Sequence, residues 1–124
     1  MKVTLNQIYG NWAAVGRLSD LTLGVKQSYG LARFIREGKV HYDDVEAQRT
    51  VLVKKYGTED DAGNTTVGPD NYDAFMSEFT ELLTTEVEIY DPGLTIDNLG
   101  DVKISAAVLI GLDWLIKDDA TGGK

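Results

Sequence analysis

The chain has 124 residues, 43% of them hydrophobic and 26% charged, a balance that supports one compact domain over 1–124 and excludes a wholly disordered chain. It contains no cysteine, which excludes disulfides, thiolate metal sites and cysteine nucleophiles. Its net charge of -8 is unevenly placed: residues 1–58 carry nine basic and five acidic side chains, whereas 59–124 carry three lysines and fifteen acids, an asymmetry that bears on association rather than on fold.

Thr4 followed by Gln7 three residues later forms a capping-box pattern, and Leu5, Ile8, Trp12 and Val15 then recur at helical spacing. This predicts a first helix that stops near Arg17. Leu21, Leu23 and Val25 alternate with polar or small residues, the period of a half-buried strand over 21–26. Leu31, Phe34 and Ile35 define an apolar stripe over 28–37 with Gly38 as a stop, and a second segment over 44–56 carries Val45, Leu52 and Tyr56, with Asp43 and Glu46 as a second capping box. Two helices are expected here rather than one, because a glycine inside a helix costs about 1 kcal/mol.

Residues 58–71 are the most polar stretch and read as an exposed loop. Asp70 can then cap a strongly amphipathic helix bearing Tyr72, Phe75, Met76, Phe79, Leu82 and Leu83. Alternation over 86–90 and again over 94–97, around Asp91-Pro92-Gly93, predicts a small hairpin. A last helix is expected from Asp101 to Lys117, followed by a frayed tail over 118–124. The fold class read from these elements is α+β, with four to five helices packed on a small antiparallel sheet whose strands lie near 21–26, 86–90 and 94–97.

Chemistry is sparse. The single histidine, His41, has Asp43 and Asp44 nearby and Ser28 or Ser105 as distant candidates, but no nucleophile elbow or other triad spacing accompanies it. One histidine cannot furnish a zinc site. Asp60, Asp61, Asn64 and the 97–101 segment hold enough oxygen ligands to consider calcium, yet they lack the alternation of a calcium loop. Phosphate-cradling glycine motifs do not occur. No catalytic, metal or cofactor-binding residue is therefore assigned, and no cofactor is expected.

Charge points instead to contacts. Arg33, Arg36 and Lys39 are three residues apart and can line one helix face, although Glu37, Asp43, Asp44 and Glu46 can pair with them. The acidic half offers Glu86 and Glu88, with Glu78, Glu81, Asp91 and Asp97, as a surface able to imitate nucleic acid; direct nucleic-acid binding by the chain itself runs against its net charge. The last helix is apolar over much of its circumference, which makes Trp114 a candidate contact in a homo-oligomer. The start of the chain lacks the apolar run of a secretion signal, and the 104–116 stretch is interrupted by Asp113 and too short for a bilayer about 30 Å thick. Cytosol is the expected compartment.

The order of elements resembles that of a family of short tailed-bacteriophage and prophage proteins. The likeness rests on Lys26-Gln27-Ser28-Tyr29-Gly30-Leu31-Ala32-Arg33 opening a helix and Arg49-Thr50-Val51-Leu52-Val53-Lys54-Lys55-Tyr56 closing the next. The 75–83 helix, Glu86-Val87-Glu88-Ile89 and Ile104-Ser105-Ala106-Ala107 follow. It implies a viral origin, with the host cytoplasm as location, and brings no catalytic residues with it. The function expected on these grounds is a non-enzymatic accessory protein that binds another protein, acting in host takeover or against host defence. A virion or tail-assembly component and a protein that sequesters a nucleotide or other small molecule are the alternatives.

Overall fold

The computed structural model describes residues 1–100 and 102–117; the tail expected over 118–124 lies outside them. The described residues form, in chain order, β1 (Lys2–Thr4), α1 (Leu5–Gly10), α2 (Trp12–Leu18), α3 (Val25–Tyr56), β2 (Gly57–Glu59), β3 (Thr65–Val67), α4 (Pro69–Leu83), β4 (Glu86–Glu88), α5 (Ile96–Leu99) and α6 (Ala106–Gly111). The fold is α+β, and its strands form two separate antiparallel pairs, β1 with β4 and β2 with β3.

The N-terminal signal works as read. Thr4 Oγ1 accepts the Gln7 N–H at 3.2 Å while Gln7 Oε1 accepts the Thr4 N–H at 2.9 Å, satisfying two donors that a helix start leaves open. The helix is nevertheless broken at Asn11, whose side-chain amide donates to Gln7 O at 3.0 Å and so takes up one of the carbonyls freed at the end of α1. The break separates α1 from α2.

Residues 25–56 depart most from the two helices expected there. They form one 32-residue helix, α3, that runs through Gly38. Gly38 faces inward, and a Cβ built on it would lie 2.9 Å from Cζ3 and 3.2 Å from Cη2 of Trp12. The missing side chain is therefore a seat for the indole, not a stop signal. Trp12 also stacks on Tyr42, with ring centroids 5.3 Å apart, and Tyr42 stacks on Tyr9 at 5.2 Å. Burying this aromatic stack offsets the roughly 1 kcal/mol that a mid-helix glycine costs.

Two apolar clusters flank α3. The larger gathers Val3, Ile8, Val15, Leu18, Leu31, Phe34, Ile89, Leu94, Leu99, Leu112, Leu115 and Ile116; the smaller joins Leu5, Val45 and Phe79. The second half of α3 is tied to α4 by a polar clamp. The Tyr56 hydroxyl donates to Glu78, and Lys55 Nζ lies 3.2 Å from Glu78 Oε2. Together they hold the Glu78 carboxyl below its usual range, with the tyrosine as the larger influence.

The strand expected over 21–26 is not formed. Its alternation is real, since Leu21 and Leu23 pack against the larger cluster while Thr22 and Gly24 face solvent. Among the described residues no neighbouring strand completes a ladder, however, and Gly24 becomes the extended N-cap of α3. The hairpin between 86–90 and 94–97 is likewise replaced by longer-range pairing. β4 pairs with β1 in the register Lys2↔Glu88, Val3↔Val87 and Thr4↔Glu86. Thr95 instead bridges Lys117 in parallel and caps α5.

The polar stretch over 58–71 is mostly exposed, but it is more ordered than a loop. β2 and β3 pair across a turn in which Asp60 Oδ1 accepts the N–H groups of Ala62 and Asn64, both at 2.9 Å. The carboxylate considered for calcium thus organises this turn. Helix α4 starts with Gly68 as N-cap and Pro69 in its first turn, so Asp70 lies inside the helix rather than capping it. The last helix is shorter than expected. Ser105 caps α6, which ends at Gly111, and irregular turns then place Leu112, Leu115 and Ile116 in the core. Its expected start, Asp101, lies outside the described residues. No helix among the described residues is long and apolar enough to cross a membrane.

The seat at Gly38 sets up a paired test by urea denaturation. Gly38→Ala drives a methyl into Trp12 and is expected to lower stability by about 1–3 kcal/mol. Gly16→Ala, in α2 with nothing within 4 Å of the added atom, is expected to raise it by about 0.5–1 kcal/mol. Equal behaviour of the two variants would contradict the packing of Trp12 on α3.

Candidate interaction surface

An α-helix turns 100° per residue, so an unbroken α3 sorts its side chains into two faces. Gly30, Leu31, Phe34, Gly38 and Val45 lie on the buried face. On the opposite face Tyr29, Arg33, Arg36, Val40, Asp44, Ala47 and Val51 follow one another at intervals of four, three, four, four, three and four residues, and all seven are exposed. Tyr29 is 62%, Val40 59% and Val51 55% exposed, and Val25, at the start of the helix, is 85% exposed. Among the described residues, four of the seven large hydrophobic side chains that stand well out of the fold are on this helix. Isolated exposed apolar residues are ordinary; here three recur on one helix face at intervals of about 16.5 Å with Arg33, Arg36, Asp44 and Ala47 between them, which makes the face a mixed apolar and charged stripe.

The residues singled out by charge are distributed unequally. Arg33, Arg36 and Lys39 do share α3, but only Arg36 is left without an ion pair among the described residues. Arg33 Nε lies 3.2 Å from Glu37 Oε2, and its guanidinium is 4.2 Å from the centre of the Tyr90 ring. Lys39 Nζ lies 2.6 Å from Asp43 Oδ1. Glu86 and Glu88 stand exposed at the two ends of β4, with the terminal amino group of Met1 3.7 Å from Glu88. Trp114 packs partly within the subunit. It is half-buried, its Nε1 donates to Gly111 O at 2.8 Å, and its ring lies 6.1 Å from that of Phe34. The apolar side chain that does stand out nearby is Ile110, 75% exposed.

Beside the outer face of α3 lies an open cleft of about 320 Å³, near the lower bound of small-ligand sites. Leu18, Leu21, Leu31 and Ile35 line it with Ser19, Ser28 and Ala32, and Arg36 supplies its one charged group. This arrangement can take an apolar group beside a negative charge. His41 lies half-buried in the middle of α3. Among the described residues no group of three or more histidine, cysteine, aspartate or glutamate side chains is disposed to hold a metal ion.

Tyr29, Val40 and Val51 are not among the contact residues that the sequence suggests. The signal that finds them is a helical wheel carried through Gly38, since Tyr29, Val40 and Val51 are each eleven residues apart. Splitting the segment at Gly38 hides that spacing.

Glu37 locks the first half of α3 to the strand region. Its Oε1 accepts the Tyr90 N–H at 2.8 Å, and its other oxygen meets Arg33. The backbone donor first, and Arg33 after it, hold the Glu37 carboxyl below its ordinary value of 4.5. A carboxyl depressed in the folded state stabilises the fold above its unfolded value, and that stability is lost as pH falls through the folded value. Thermal melts across pH are therefore expected to show the wild type above Glu37→Gln at neutral pH, with the gap closing below pH 4.5; a gap that persists in acid would contradict the assignment. No family model, no curated protein and no solved structure matches this chain.

Proposed function

We propose that the protein acts by binding another protein, without catalysing a reaction, and that the outer face of α3 is the surface it presents. The observation that carries this reading is the line of exposed apolar side chains, Tyr29, Val40 and Val51, on one unbroken helix. Covering such a line removes apolar surface from water, which is the main driving force of protein association. Arg36 and Asp44, exposed on the same line and unpaired within the described residues, supply the charge that gives such a contact register and specificity. The outer face of an amphipathic surface helix typically carries charged and polar groups.

The resemblance of the element order to short tailed-phage proteins supports an accessory role during infection, carried out in the host cytoplasm. The uneven charge of the chain supports the same reading, because a basic and an acidic half on one small protein favour oriented association.

Photo-crosslinking tests the proposal. A photoreactive residue at position 40 of the full chain, expressed in bacterial cells, is expected to form protein adducts. The same residue at position 66, exposed on β3, is expected to form few. No excess of adducts from position 40 over position 66 would overturn the proposal.

A further inference from the structure

The exposed line on α3 reads the same from either end. Its intervals of four, three, four, four, three and four residues are symmetric about Val40. A two-fold contact requires that residue i meet residue j while j meets i. Laying α3 antiparallel on a second α3 with Val40 on the axis pairs positions whose numbers add to eighty. Val40 then meets the partner's Val40, Arg36 meets the partner's Asp44, Arg33 meets the partner's Ala47, and Tyr29 meets the partner's Val51. Each match is chemically favourable or neutral, and the symmetry makes each of the last three occur twice.

We infer that the outer face of α3 is a homodimer contact, an antiparallel pairing of two α3 helices about Val40 in which Arg36 of each protomer meets the partner's Asp44. This rests on the reading of α3 as a binding surface and names its occupant as a second copy. The charge pattern selects the arrangement. Arg36 and Asp44 are each four residues from Val40, opposite in sign and without an ion pair among the described residues, whereas Arg33 and Lys39 are already paired within their own helix. A parallel pairing would set Arg33 and Arg36 against themselves. Moving the axis to position 36 or 44 would set Arg36 or Asp44 against its own copy. The axis at Val40 sets Arg36 against the partner's Asp44 and brings no like charges together between Tyr29 and Val51 on this line.

The helix geometry permits it. Eleven residues complete three turns with about 20° to spare, so the line drifts little from the helix axis and two helices can lie side by side along it. The contact runs about 33 Å, from Tyr29 to Val51, and a strip about 10 Å wide covers roughly 330 Å² per protomer. That is small beside the ~800 Å² per partner of a standard interface. At the two ends Lys26 opposes the partner's Lys54, which bounds the contact. A weak dimer that exchanges rapidly is the expected result.

Two measurements test it, and the absence of any cysteine in the chain makes the first simple. Under mild oxidation of the full chain, Val40→Cys is expected to form a disulfide-linked dimer. Tyr29→Cys alone should not, while Tyr29→Cys mixed with Val51→Cys should give the mixed dimer. Sedimentation equilibrium from micromolar to millimolar concentration is the second. Arg36→Asp and Asp44→Arg are each expected to weaken dimerisation about tenfold, by turning two attractive exposed pairs repulsive, and the double exchange Arg36→Asp/Asp44→Arg to restore it. All these positions are exposed, so unchanged circular dichroism serves as the control for folding. A wild type that stays monomeric at millimolar concentration, or a double exchange as weak as the single ones, would overturn the dimer. Adducts to a different protein from position 40, with the chain itself monomeric, would overturn the dimer while leaving α3 as a binding surface. No adducts and no dimer would remove both.

Discussion

The close approach of Trp12 to Gly38 is the contact on which the rest of the molecule depends. A helix of 32 residues needs tertiary support along its length, since isolated helices gain little from propensity alone. A glycine at its middle would be the weakest point if that residue were exposed. Instead the indole fills the space a side chain would take, and the stack continues from Trp12 through Tyr42 to Tyr9. Tyr9 is anchored in turn, its hydroxyl donating to Glu46 on α3. Burial first, and that bond second, push the hydroxyl up to about 12. Aromatic packing and one charge-assisted hydrogen bond thus hold the short helices of the N-terminus across the centre of the long one.

Continuity of α3 has two consequences. Its inner face becomes a shared wall for both apolar clusters, with Phe34 buried in the larger and Val45 in the smaller. Its outer face becomes a straight surface on which residues far apart in sequence fall into line. The acids of the second half of the chain are meanwhile partly taken up in holding the fold. Glu78 clamps α3 to α4, Asp91 lies 2.7 Å from Lys117, and Asp60 closes the β2–β3 turn. These three acids serve the fold, while Arg36 and Asp44 on α3 have no ion pair among the described residues.

What the sequence showed and concealed divides along the range of the interactions. Short-range signals were legible: the Thr4–Gln7 capping box, the amphipathic helix through Phe75 and Phe79, and the α+β class. Interactions across long separations were not. β4 pairs with β1 rather than with the segment that follows it, because Val3 and Val87 meet across the chain. The extended segment around Leu21 and Leu23 has the alternation of a strand but no neighbour to pair with among the described residues. Gly38 was read as a stop because helix propensity weighs a glycine by itself, and only the position of Trp12 changes its meaning. The ring contact of Trp114 with Phe34 is likewise a long-range one that the sequence does not display. Of the residues on the outer face of α3, Arg33 and Arg36 are marked in the sequence by their spacing. The alignment of Tyr29, Val40 and Val51 with them emerges only once α3 is seen as one element.

A distance between spin labels placed at Lys26 and Lys54 measures that continuity directly, with the labelled chain diluted in unlabelled protein so that only separations within one molecule are read. One unbroken helix predicts a single narrow distribution near 42 Å, from 1.5 Å of rise over about 28 residues. A broad distribution, or one centred below about 30 Å as a pair of helices folded back at Gly38 would give, would contradict the account.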